Sequence, residues 1–124
     1  MIELSEALAD FRPRTGLILG SGLGSLADTI NVVTTIDYAD LDGFPTSGVS
    51  GHAGQLFAGD IEGEPVVLLS GRSHYYEHGD AAIMRPALTA LRDAGVERMV
   101  LPNSAGSTVP DMPPGSVMLI TDHI

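Results

Sequence analysis

Residues 15–19, Thr-Gly-Leu-Ile-Leu, run without a charge into a turn that carries glycines at 20, 22 and 24. A short apolar run bounded by turn residues reads as a buried strand. A strand of that kind belongs inside a sheet covered on both faces, which points to an α/β architecture. The remaining pattern agrees with that reading. Residues 31–38 are rich in Val, Ile and Thr and read as a strand. Residues 55–71 read as two strands joined at Glu62-Gly63, a hairpin signal.

Helical periodicity occurs in two places. Ile2, Leu4, Leu8 and Phe11 fit one face of a short amphipathic helix that Pro13 ends. Ile83, Ala87, Leu88 and Leu91 recur at helical spacing within 79–95, with Asp80 as N-cap, Gly95 as the stop and Pro86 kinking the helix or marking its first turns. A strand then leads from Glu97 into a second small-residue turn, Pro102-Asn103-Ser104-Ala105-Gly106-Ser107, and 116–124 reads as a last strand. Strand, helix, strand at this spacing predicts a mixed, partly parallel central sheet with flanking helices, within a single domain over 1–124. An apolar last strand with nothing after it leaves a sheet edge uncovered, so the domain is expected to be incomplete.

Charge narrows the function classes. Sixteen acidic side chains face six basic ones, all Arg, for a net charge of −10. Such a surface repels nucleic acid and anionic membranes, so neither is an expected partner. An anionic ligand must be held locally, by backbone N–H groups and a few placed Arg or His side chains. The absence of Cys excludes disulfides, thiolate zinc sites and a cysteine nucleophile. An acidic N-terminal stretch with no long apolar core is unlike a signal peptide, and a cytoplasmic location is expected.

Three strand ends carry candidate chemistry. The first glycine loop is neither a dinucleotide fingerprint nor a P-loop, since its third glycine comes one place early and the chain has no Lys. It reads as a strand–turn–helix whose open N–H groups and Ser21 hydroxyl suit a single phosphate, or simply as a tight turn. The second end, 68–80, places Arg72, His74 and Tyr76 at alternating positions, on one side of an extended strand. Arg presents a planar fork of donors to phosphate oxygens, His can donate or carry charge, and Glu77 is near enough to orient it. The plainer reading is a solvated strand end. The third end is 102–107. His52 sits in the glycine-bearing loop 40–54. His74 and His78 fall four apart without the HExxH order on a helix, so a metal site is not expected. Together, three anion-friendly strand ends fit the rule that ligands of open α/β sheets gather at the carboxyl ends of strands.

With these segments assembled, the chain resembles the trimeric purine nucleoside phosphorylases. GLILGSGLG (16–24), SGHAG (50–54), GRSHYYEHGD (71–80), NSAGS (103–107) and PPGSVMLITDHI (113–124) follow that family's motifs in order. The related methylthioadenosine phosphorylases share the fold and rank second. The resemblance implies reversible phosphorolysis of purine nucleosides to free purine and ribose 1-phosphate, with no metal or organic cofactor. It further implies a homotrimer of the complete protein. Carried over by motif, Ser21, His52, Arg72, His74 and the backbone N–H of Ser104 hold phosphate, Tyr76 touches the ribose and Glu77 steadies His74. Ser104, Ser107 and Pro102 depart from residues common in the family. Family members continue well beyond Ile124 with the groups that bind the purine. The chain alone is therefore expected to be inactive, and a short phosphate-binding relative or a non-functional remnant stand as the other readings.

Overall fold

A computed structural model describes residues 1–20, 23–45 and 54–124. Five strands, β1 (Thr15–Leu19), β2 (Asn31–Asp37), β3 (Gln55–Ile61), β4 (Glu64–Ser70) and β5 (Arg98–Val100), form one sheet in the order β2-β3-β4-β1-β5. β1 runs parallel to both its neighbours, with Thr15 opposite Val66 on one side and Arg98 on the other. β3 runs antiparallel to β2 and β4. The sheet is thus mixed, as the sequence predicts, and its parallel part is β4-β1-β5.

The β3–β4 hairpin follows from its two turn residues. Glu62 and Gly63 both adopt positive φ, 51° and 84°. That pair of conformations matches the twist of a two-residue hairpin, and Gly63 takes it without steric cost. The Asp60 carboxylate accepts the Gly63 N–H at 3.1 Å and closes the turn. β2 is the exposed edge strand, and its register shifts between Val32 and Thr34, a bulge that breaks the flat edge.

Strand periodicity divides the apolar side chains between two faces. Ile18, Val67 and Leu69 face a larger core completed by Leu4, Leu8, Tyr38, Leu41, Leu56, Ala87 and Leu91. Leu19, Val66 and Leu68 face a smaller core with Ile30. β4 is buried on both faces, which accounts for its unbroken apolar run.

Several expected elements come out differently. The N-terminal helix is the single turn α1 (Leu4–Ala7); Leu4 and Leu8 are buried, while Ile2 is exposed and bridges Leu41. After the first glycine loop comes a 3-10 turn, Gly24–Thr29, in place of an α-helix. Tyr75–His78 forms a helical turn, α2, where a strand end was expected. α3 spans Arg85–Asp93, shorter than the predicted 79–95, because Pro86 lacks the N–H that an interior helical position needs and so fits only the first turn. Asp80 caps the preceding turn, accepting the Ala82 N–H at 2.8 Å. Residues 116–124 form no strand: they pair with no described strand, and Val117, Met118 and Leu119 remain exposed. A lone extended segment has no ladder for its backbone polar groups. Among the described residues no helix is long and apolar enough to cross a membrane.

The buried face of α3 is narrower than its sequence periodicity implies: Leu91 is 1% exposed but Leu88 is 40% exposed. Leu91→Ala is therefore expected to destabilise the fold by about 2–5 kcal/mol, and Leu88→Ala by about 0.5 kcal/mol or less. Denaturant midpoints of the two variants check this order.

Candidate functional site

Parallel pairing of β4, β1 and β5 sets their carboxyl ends side by side. Ser70, Leu19 and Val100 are the last residues of these strands, so the chain leaves the sheet three times at one edge. Gly20 marks how close the three exits come. A Cβ built on it would lie 3.3 Å from the Pro102 carbonyl oxygen, 3.6 Å from Arg72 Nη2 and 3.9 Å from the Asn103 Cα. The segment after β1 is thereby in contact with those after β4 and β5. Ser104 is exposed and follows Asn103 in the chain.

The segment after β4 holds a compact cluster. Arg72 Nε donates to His74 Nε2 at 3.4 Å, which leaves Nδ1 as the protonated nitrogen of a neutral His74 imidazole. Nδ1 lies 3.5 Å from Glu77 Oε1 in an ion-pair geometry but is buried without a formal hydrogen bond among the described residues. The other carboxylate oxygen of Glu77 accepts the His74 backbone N–H at 2.9 Å. Glu77 thus grips His74 at backbone and ring together, the arrangement of an acidic residue in the first turn of a helix reaching back to its N-cap.

That backbone hydrogen bond holds the Glu77 carboxyl below the usual carboxylate range; His74 and His78 add to the effect, and burial opposes it. The Glu77 side chain is 7% exposed and that of His74 32%. Tyr76 stacks on the His74 ring with centroids 5.0 Å apart and planes at 17°. Tyr76 itself is 80% exposed.

Arg72, His74 and Tyr76 do come together, though not by the predicted route. β4 ends at Ser70, and Tyr76 lies in α2, so the three do not alternate along an extended strand. The turn at Tyr75 brings the Tyr76 ring back over His74. Ser21 and His52 lie outside the described residues. The first loop leads into a 3-10 turn of six residues, too short to supply a helix dipole. Any anion there depends on local N–H groups and on Arg72.

Burial sets Arg72 apart from the other five arginines, all of which are exposed. Arg14 meets Glu97 at 2.7 Å and Arg92 meets Asp93 at 2.8 Å, both on the surface. Among the described residues Arg72 has no carboxylate partner and is half-buried. A guanidinium in that position, beside an imidazole and open strand ends, is chemically complementary to an oxyanion. No group of three metal-ligating side chains occurs among the described residues.

Two further residues shape this edge and were not singled out from the sequence. Asn103 borders Gly20, and the buried Tyr38 hydroxyl donates to the Gly71 carbonyl at 2.7 Å. Neither had a local signal, since each is defined by a contact distant in sequence.

Comparison with known proteins fits this geometry. The chain is 46% identical over 112 residues to purine nucleoside phosphorylase 1 of Geobacillus stearothermophilus, a match that covers 90% of this chain and 41% of that protein. It is 43% identical over 112 residues to purine nucleoside phosphorylase 1 of Bacillus subtilis, again covering 90% and 41%. A crystal structure of a purine nucleoside phosphorylase in complex with ribose-1-phosphate superposes with a TM-score of 0.77 at 31% identity, over 91% of this chain and 43% of the other. The chain therefore spans about two fifths of the length of the relatives it matches. Residues 14–124 match the phosphorylase superfamily, and with the strand ends of the fold arranged as described, the chain belongs to that family.

Proposed function

We propose that these residues form the phosphate-handling part of a purine nucleoside phosphorylase domain, which cleaves purine nucleosides reversibly with inorganic phosphate. The observation that carries this reading is the convergence of Gly20, Arg72 and Asn103 where β1, β4 and β5 end. The matched relatives bear the name of that activity, and one related structure holds ribose-1-phosphate. The reading invokes phosphate as co-substrate and no metal or organic cofactor. It carries with it a cytoplasmic homotrimer of the complete protein.

In the proposed reaction a phosphate oxygen attacks C1′ of the nucleoside. The bond from C1′ to the base nitrogen breaks, the base leaves with the electron pair and takes up a proton, and the sugar departs as ribose 1-phosphate. Arg72 binds the phosphate through its guanidinium fork. His74, its Nδ1 side held by Glu77, donates to a phosphate oxygen from Nε2 once the ring is protonated and Nε2 no longer accepts from Arg72. Ser21, His52 and the Ser104 N–H complete the phosphate site, and the exposed Tyr76 ring meets the ribose. Fixing the dianion beneath the sugar supplies orientation, and its charge stabilises the oxocarbenium ion that develops at C1′. The groups that receive the base belong to the part of the relatives that this chain does not span.

Two experiments on the complete protein test the assignment. Arg72→Ala should raise the KM for phosphate about 10- to 100-fold, the scale of a hydrogen bond to a charged group. The KM for inosine should change little, and an unchanged phosphate KM would overturn the placement. Glu77→Gln should lower kcat/KM for phosphate about tenfold through looser positioning of His74. It should also alter the pH dependence of stability. The folded-state pKa of Glu77 lies below the unfolded value, so its stabilising contribution is present at neutral pH and is lost as pH falls through the carboxylate range. Melting temperatures of wild type and Glu77→Gln should differ at neutral pH and converge in acid.

A further inference from the structure

We propose that Tyr38 is a positioning residue for the phosphate site, holding the peptide that leads into Arg72 at the orientation phosphate requires. The inference rests on the reading of Arg72 as a phosphate ligand. Tyr38 lies where β2 ends and is only 3% exposed. Its hydroxyl donates to the Gly71 carbonyl oxygen at 2.7 Å, across 33 positions of sequence. That carbonyl belongs to the peptide whose nitrogen is Arg72 N, so the bond fixes the plane from which the Arg72 side chain departs.

Gly71 needs such a restraint. It adopts a φ of +115°, a conformation that only glycine takes readily and that glycine alone does not hold rigidly. The tyrosine grips a second segment as well. Its backbone N–H donates to the Gly54 carbonyl at 2.9 Å, and a Cβ on Gly54 would run into the Tyr38 ring. Gly54 and Gly71 are also adjacent: a Cβ on Gly71 would lie 3.8 Å from the Gly54 Cα. One tyrosine, through its backbone N–H and its hydroxyl, therefore ties the residue two places after His52 to the residue one place before Arg72.

The ring itself is anchored in the larger core, 5.2 Å from Phe44 between centroids. Burial pushes the hydroxyl well above the usual tyrosine range, so it stays a hydrogen-bond donor throughout the working pH range. A buried phenol needs a hydrogen-bond partner in any case, and here that partner is the carbonyl at the entrance to Arg72.

Tyr38→Phe removes the hydroxyl and keeps the ring, and is measured in the complete protein beside Arg72→Ala. The expected result is a phosphate KM raised about fivefold, the effect of one neutral hydrogen bond, with the inosine KM and kcat at saturating phosphate little changed. Phosphate should also raise the melting temperature of Tyr38→Phe less than that of wild type, a readout that needs no turnover. A lower melting temperature with an unchanged phosphate KM and an unchanged phosphate-induced shift would reduce Tyr38 to a core residue and overturn the inference. If Arg72→Ala leaves phosphate affinity intact, the reading of the site fails and the inference falls with it. If Arg72→Ala weakens phosphate while Tyr38→Phe does not, the site stands and the inference alone is wrong.

Discussion

The position of β1 between two parallel neighbours is the constraint on which the rest of the structure depends. Parallel pairing with β4 and β5 aligns three carboxyl ends, and each strand then passes into a segment of small or polar residues. An antiparallel partner on either side would send one of those segments to the opposite edge. The hairpin and β2 continue the sheet antiparallel on the far side, where they add core area and the tyrosine that reaches back to Gly71. Packing serves the site directly, because the residues that fix β1 in place, Ile18 on one face and Leu19 on the other, immediately precede Gly20.

A protein with a net charge of −10 has an electrostatic problem if it is to take up phosphate. Its long-range field repels the ligand, and attraction must come from groups within a few ångströms. Surface arginines do not help once they are paired, as Arg14 and Arg92 are. Arg72 is placed otherwise, half-buried beside His74 and without a carboxylate among the described residues. Glu77 sits on the far side of the imidazole from Arg72, so its charge orients His74 without neutralising the guanidinium. The cluster leaves one cation without a carboxylate partner among the described residues and holds its neighbour by contacts at backbone and ring.

Much of this was legible in the sequence for a local reason. The three strand ends stand out because each apolar run stops abruptly at small residues, and Glu62-Gly63 announces its turn by residue type. Features that depend on distant contacts were hidden. Residues 116–124 have the composition of a strand but no described partner to pair with, and composition cannot supply one. Leu88 fits the helical period yet is 40% exposed, because the period defines a stripe and packing decides which edge of it is covered. The single turn of α2 is shorter than any periodicity can register, and it, rather than strand alternation, puts Tyr76 over His74. Tyr38 was invisible for the same reason: its role exists only through Gly54 and Gly71.

The measurement that bears most directly on this account is a crystal structure of the complete protein grown with inorganic phosphate. The account predicts the anion at the carboxyl ends of β1, β4 and β5, within hydrogen-bonding distance of the Arg72 guanidinium and the His74 ring. Phosphate bound away from these strand ends, or Arg72 engaged by a carboxylate with no anion beside it, would contradict the assignment.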